Sequence, residues 1–538
     1  MRITFTGFGL NPAGAQKLKQ ILAGDRSSPC AEALVAHATD IGAKFAVLEE
    51  PYTDQDYSSD YLNFYASAFK DHLRYTRRVH LFTEDISGWF AKSLADQASD
   101  KSIDSSYLGF VVVRPIRQGP IGRTLLRFPN LGKGLTARMA ARAPSEIHLY
   151  GKKLSVTSAP FIQQDRRIGA CAQAAIWMAA RPMHMRHKRT AWHSIAEITR
   201  MATTPTDAEV SQELPAGSAG LNPMHIIRAL KAMGHQPLHH YFRDADGKPK
   251  STPASEIILR YLDSGLPVVL GMTSDAGDIA HAIAAVGYVE VAGGVVRPGT
   301  TYDSFVRALI VHDDQRGPYR LIPLTADDID HLPRDRLLME AEKVLVVDEI
   351  VSHMFVPLPP RVFLRAERAD IVAADFLTLQ AAAGFGEKLA NEASDAAAKA
   401  AIADFYAKVR DEKLIRRTYL TSAGRYRHHL AKSSLSAPIK AELMTRQLPH
   451  FVWVTELMDP TSAQISSNGP RQLVGHMVVN ATSSTDPNND LLMAHLPHVL
   501  INRDINPPAD KRDHIEFVET AEIFPDETPY CGRLREAS

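Results

Sequence analysis

Gln163-Gln164-Asp165-Arg166-Arg167-Ile168-Gly169-Ala170-Cys171-Ala172-Gln173-Ala174-Ala175-Ile176-Trp177-Met178-Ala179-Ala180 is a polar, glycine-containing turn that runs straight into an alanine-rich segment. Alanine favours helix over every other residue, so a helix is expected to begin at or near Cys171. A thiol attacks as its thiolate, and the exposed N–H groups and partial positive charge of a helix start stabilise that anion. A cysteine in such a helix can equally be a small buried hydrophobe. Its partners decide between the two readings.

Those partners are sought downstream. Asn222-Pro223, a capping residue followed by proline, opens a helix with Ile226, Ile227, Leu230 and Met233 on one side, and Gly234 ends it. Thr252-Pro253 opens another. Residues 266–272 form a short apolar run typical of a buried strand, and a polar loop over 273–278 leads to a second strand over 281–288, which His281 opens. A third strand over 306–312 ends in Asp313-Asp314-Gln315-Arg316-Gly317-Pro318. A cysteine nucleophile needs a base, and the base needs a third group to hold its tautomer. His281 has the ring nitrogen for the first task and Asp313 the carboxylate for the second. The amide of Cys171 and the side chain of Gln164 or Gln163 would face the oxygen on which charge develops.

Composition narrows the context. Lys plus Arg and Asp plus Glu both total 61 in 538 residues, so no global field draws the chain to nucleic acid or to a membrane. The three cysteines, Cys30, Cys171 and Cys531, are too far apart for a disulfide framework or a zinc motif. No cofactor or metal is implied. With no signal-peptide pattern and no apolar run of about 18 residues, a cytoplasmic location is expected.

Outside the centre, residues 1–150 read as an α/β accessory region with strands near 3–8, 43–48, 79–82 and 107–113 and a helix over 12–22. Leu62, Tyr65, Phe69 and Leu73 fall on one helical face, which reads as core. Residues 114–123, with Arg114, Arg117 and Arg123, read as a solvated turn, and residues 182–189, with His184 and His187, as an exposed loop. Residues 351–538 read as a helical part, broken near Gly384, and then a mixed α+β part with paired strands at 451–457 and 475–481. Arg416, Arg417, Arg425 and Arg427, interleaved with Tyr419 and Tyr426, make the strongest basic patch, read as a solvated face more than a phosphate site. His476, His495 and His498 are too weakly patterned for zinc, and residues 483–490 read as an exposed loop.

The order Gln, Cys, His, Asp, with "HAIAAVGY" followed by "LIVHDDQRGPY", resembles the papain-like cysteine peptidases, particularly the bacteriocin-leader-processing branch, over residues 155–325. The resemblance implies an α+β papain-like core over 151–350, with a helical lobe and an antiparallel sheet lobe. It implies Cys171 as nucleophile, His281 as base, Asp313 as orienting acid and Gln164 as the oxyanion glutamine. The family's glutamine usually sits where this chain has Asp165, its Cys-Gly pair is Cys171-Ala172 here, and its acid is commonly followed by proline rather than Asp314. The implied activity is cleavage of a peptide or isopeptide bond in a protein substrate. An acyltransferase using the same pair, or a non-catalytic binding scaffold, is the alternative.

Overall fold

The computed structural model describes the chain apart from residues 1, 25, 133, 166–170, 188–190, 205–220, 274–278, 292–299, 341, 394–395, 433–436, 460–472, 483–489, 504–514 and 520–538. The readings of residues 273–278 and 483–490 as loops, and Cys531, therefore fall wholly or mostly outside the described residues. Three antiparallel sheets organise the rest, a mixed α+β architecture.

The first sheet is a meander of β1 (Thr4–Gly9), β2 (Phe45–Tyr52), β3 (Thr76–Phe82), β4 (Tyr107–Val113) and β5 (Ile121–Leu126). The expected α/β character of this region is corrected: its ladders are all antiparallel. Two helices, Pro12–Ala23 and Pro29–Asp40, return the chain to the end where β1 finished, so β2 runs back along it. Asn11 and Ser28 cap these helices ahead of Pro12 and Pro29, as capping chemistry dictates.

The 62–73 stripe is not core. The helix Gln55–Asn63 stops before Phe64, and Leu62, Phe69 and Leu73 are exposed while Tyr65 alone is buried. Tyr65 turns inward because its hydroxyl donates to Asp165 at 2.9 Å, a tertiary bond that local periodicity does not encode.

The 1–150 region does not stand apart from the centre. After it come β6 (Leu135–Met139) and a hairpin of β7 (Ala143–Leu149) and β8 (Lys152–Ser158). β6 joins the central sheet, which is built from β9 (Gln236–Tyr241), β10 (Val268–Thr273), β11 (Ile279–Val291), β12 (Val306–Asp313) and β13 (Gly317–Pro323). A short pair, β14 (Met339–Glu340) with β15 (Lys343–Val344), precedes its last strand, β16 (Val351–Leu358). The order is β13-β12-β11-β10-β16-β9, and β6 pairs with the distal half of β11, Met139 opposite Gly287. The central strands are buried on both faces, which is why they read as continuous apolar runs.

The helix Cys171–His187 packs against β11. It continues through Pro182, so the loop expected over 182–189 is corrected for 182–187, with 188–189 outside the described residues: the missing N–H removes one intrahelical bond without ending the helix. Trp177 and Arg181 anchor it to the N-terminal region. The Trp177 indole donates to Asp56 at 2.9 Å, and the Arg181 guanidinium pairs with the same carboxylate.

Beyond β16, helices Ala366–Ala382, Phe385–Glu392 and Ala396–Arg410 break at Gly384, whose φ of 65° is left-handed. They lie against the third sheet, β17 (Ile415–Ser422), β18 (Phe451–Met458), β19 (Leu473–Asn480), β20 (Leu491–Leu496), β21 (Val499–Arg503) and β22 (Ile515–Glu519). Two arginines of the basic patch are consumed here, while Arg425 stays exposed. Arg417 is buried and makes two bonds of 2.5 Å to Asp263, with Glu456 at 3.5 Å, while Arg416 pairs with Asp370 at 3.3 Å. No helix among the described residues is long and apolar enough to cross a membrane.

Candidate active site

Cys171 is the first residue of its helix and is half-buried. His281 lies near the start of β11 and Asp313 ends β12, so the sheet register carries both side chains to the same edge. Cys171 lies close enough to His281 to act on its ring. His281 Nε2 lies 3.2 Å from Asp313 Oδ1 and 3.7 Å from Asp314 Oδ1. These are ion-pair distances, with the nearer contact off the line of a good hydrogen bond. Nδ1 lies 3.4 Å from the side-chain amide of Gln315. Three residues far apart in sequence, Cys171, His281 and Asp313, therefore meet.

Asp313 is held in place by its own turn. Its Oδ1 accepts from the backbone N–H groups of Gln315 at 2.8 Å and Arg316 at 3.0 Å, and its Oδ2 from the Arg316 guanidinium at 3.3 Å. Burial acts to raise its pKa. The facing His281, Arg316 and the turn N–H outweigh burial and hold the carboxyl below its usual value. For His281 the balance runs the other way. Burial acts to lower its pKa, but the contacts with Asp313 and Cys171 and the charges of Asp313 and Asp314 push it up to about 11. With its pKa raised this far, the ring carries its proton at neutral pH. Cys30, the other described cysteine, is fully buried, and burial followed by the Asp314 and Asp313 charges pushes its thiol well up.

The glutamines part company. Gln163 is tied to β5, its Oε1 accepting from Ile121 N at 3.2 Å and its carbonyl accepting from the buried Arg114 at 2.6 Å. Gln164 is half-buried and lines a cavity of about 250 Å3 together with Asp314 and Gln315. Its carbonyl is pressed by the 115–120 turn at Gly119, where φ is 69° and an added Cβ would lie 2.0 Å from that oxygen. Only glycine fits there. Asp165, in the position the family gives to glutamine, is buried and bonded to Tyr65.

The solvated reading of Arg114, Arg117 and Arg123 holds for Arg117 alone. Arg114 is buried and holds the turn, donating to Gly119 as well as Gln163, and Arg123 pairs with Asp54 at 2.9 Å. Sequence reasoning also missed Gln315, Arg316 and Asp56. The run Asp313-Asp314-Gln315-Arg316 just after a strand was the available signal, since Asp bonds its own backbone two residues on.

His281, Asp313 and Asp314 each place a ligand atom within 4.8 Å of the others, the one such group among the described residues. Arg316 already supplies a cation to Asp313, and the cluster fits a polarised base better than a metal cage. The sequence matches no protein-family model and no curated protein.

Proposed function

We propose that the protein is a papain-like cysteine hydrolase that cleaves a peptide or isopeptide bond of a protein substrate. The observation that carries this reading is Cys171 at a helix start beside a His281 whose Nε2 faces the buried Asp313. A helix laid on an antiparallel sheet that supplies the base and the acid supports the papain-like reading of residues 151–350.

In the proposed reaction the Cys171 sulfur attacks the carbonyl carbon and its electron pair shifts to the oxygen. When the tetrahedral species collapses, the C–N bond breaks and His281 gives its proton to the leaving amine. Water then attacks the thioester while His281 takes up its proton. The C–S bond breaks, and a carboxylic acid and the free thiol result. Asp313 holds the ring throughout and stays ionised. The Cys171 amide and Gln164 are the candidates for stabilising the oxyanion.

Iodoacetamide at neutral pH tests the first step. Cys171 is expected to be alkylated well before Cys30, which is buried with its thiol pKa raised, and His281→Ala is expected to slow the reaction at Cys171 by about 100-fold. Equal labelling of wild type and His281→Ala would remove the basis for the pair. Incubation with a peptide library in the presence of a free amine separates hydrolysis from acyl transfer by the mass of the product.

A further inference from the structure

One cavity reaches the catalytic group and a second shares part of its wall. The nearer, about 250 Å3, is lined by Gln164, Asp314 and Gln315 from the centre and by Arg26 and Arg117 from the N-terminal region. Since Gln315 and Asp314 contact the His281 ring at 3.4 and 3.7 Å, this cavity lies one side chain away from the base. The second, about 460 Å3, shares Arg26 and Arg117 with the first and adds Lys70 and Asp71. The two arginines therefore stand between both spaces.

Their surroundings leave their charge available. Arg26 Nη1 donates to the Arg117 carbonyl at 3.4 Å, so the two side chains spring from touching loops. Both are exposed, and neither forms an ion pair with a described residue. Of the acids in these walls, Asp314 faces His281 and Asp165 accepts from Tyr65. Asp71 alone is left against Arg26, Arg117 and Lys70. The nearer cavity has no large apolar side chain in its lining, only Ala23, Pro29 and Pro120 among non-polar residues. Recognition there rests on charge and hydrogen bonds rather than on burying an apolar group.

We propose that this cavity is the substrate subsite and takes a carboxylate between Arg26 and Arg117, so that the preferred substrates are acidic peptides whose carboxylate lies within a few residues of the bond attacked. The proposal rests on the reading of Cys171 as nucleophile. Two guanidinium forks match a carboxylate in shape as well as in charge. A carboxylate there can come from an Asp or Glu side chain or from a chain terminus.

The test uses the full chain and short peptides carrying a thiol-reactive chloroacetyl group at the amino end or a chloromethyl ketone at the carboxyl end, each made with Glu, Gln or Lys. Cys171 is expected to react about tenfold faster with the Glu peptides than with the Gln ones, and slower still with Lys. The advantage is expected to disappear in Arg26→Ala/Arg117→Ala, to invert in favour of Lys in Arg26→Glu/Arg117→Glu, and to shrink in high salt. Reaction with uncharged iodoacetamide is expected to stay unchanged in both double variants, which shows that the nucleophile is intact. A Glu preference among amidated peptides assigns the carboxylate to a side chain. A preference confined to free-acid chloroacetyl peptides assigns it to a terminus. Both outcomes support the subsite. Equal rates for Glu, Gln and Lys on the wild type, together with equal rates for free-acid and amidated peptides, overturn it while leaving Cys171 as nucleophile. Failure of every probe to alkylate Cys171 selectively overturns the functional reading instead.

Discussion

The N-terminal and C-terminal sheets are both antiparallel meanders packed on the same centre, yet they attach to it in opposite ways. The N-terminal region reaches the candidate site itself. Asp56 holds the Cys171 helix through Trp177 and Arg181, Tyr65 holds Asp165, and the 115–120 turn presses on Gln164. The C-terminal region attaches through a buried polar knot. Arg417 binds Asp263 and Glu456 beneath the Tyr302 ring, and Tyr288 and Tyr419 donate to those two carboxylates at 2.7 Å each. None of these groups belongs to the catalytic cluster. The comparison teaches that one flank is part of the site and the other part of the frame.

Asp56→Ala is the sharpest way to break that contrast. It leaves Arg181 buried without its ion-pair partner, so a loss of about 3–5 kcal/mol in denaturant unfolding is expected. The alkylation rate of Cys171 is expected to fall with it, because the helix loses its anchor. Unchanged reactivity in the folded variant would move the N-terminal region into the frame as well.

Arg417→Met is expected to destabilise by a similar amount, since it strands Asp263 and Glu456. Here, however, the alkylation rate of the folded protein should match wild type. A parallel loss of reactivity would make the C-terminal region part of the site.

The pH dependence is read as a slope, modest at each step of pH. The folded pKa of His281 is raised, so its stabilisation is fully present below about 6.5 and is lost as pH rises towards about 11. The stability gap between wild type and His281→Gln is therefore expected to narrow across that window, with a slope of at most about 1.4 kcal/mol per pH unit. A gap that widens with pH would reverse the sign and remove the imidazolium–Asp313 pair.

The smallest effect is expected from Phe69→Ser. The ring is exposed, so stability should stay within about 0.5 kcal/mol of wild type, read from urea midpoints. A core residue would lose several times more.

The legible parts of the sequence were those whose causes are local. Asn222 caps the helix Pro223–Ala232 by accepting from His225 N at 3.0 Å, as an Asn-Pro start requires. The apolar runs at Val268–Thr273 and Val306–Asp313 are strands, and Cys171 starts its helix. What stayed hidden depends on distant partners. Nothing near Arg417 announces Asp263, 154 residues away, and nothing near Leu62 announces that the helix ends so that Tyr65 can meet Asp165. The candidate site was half legible for the same reason. Order and element type pointed to Cys171, His281 and Asp313, whereas Gln315 on the ring and the cavity beside Gln164 follow from the turn after β12 and from a region read as accessory.

β6 has a consequence for how the chain is made. Met139 leaves the ribosome 148 residues before Gly287, its partner in the central sheet (287 − 139 = 148). At bacterial and eukaryotic synthesis rates that is a wait of about 7–30 s. Through that interval β6 lacks its partner, and Arg138, which later pairs with Glu290 at 2.6 Å, supplies the charge that discourages the strand from pairing with a neighbouring chain. The N-terminal region is finished first but locked in place only once β11 arrives.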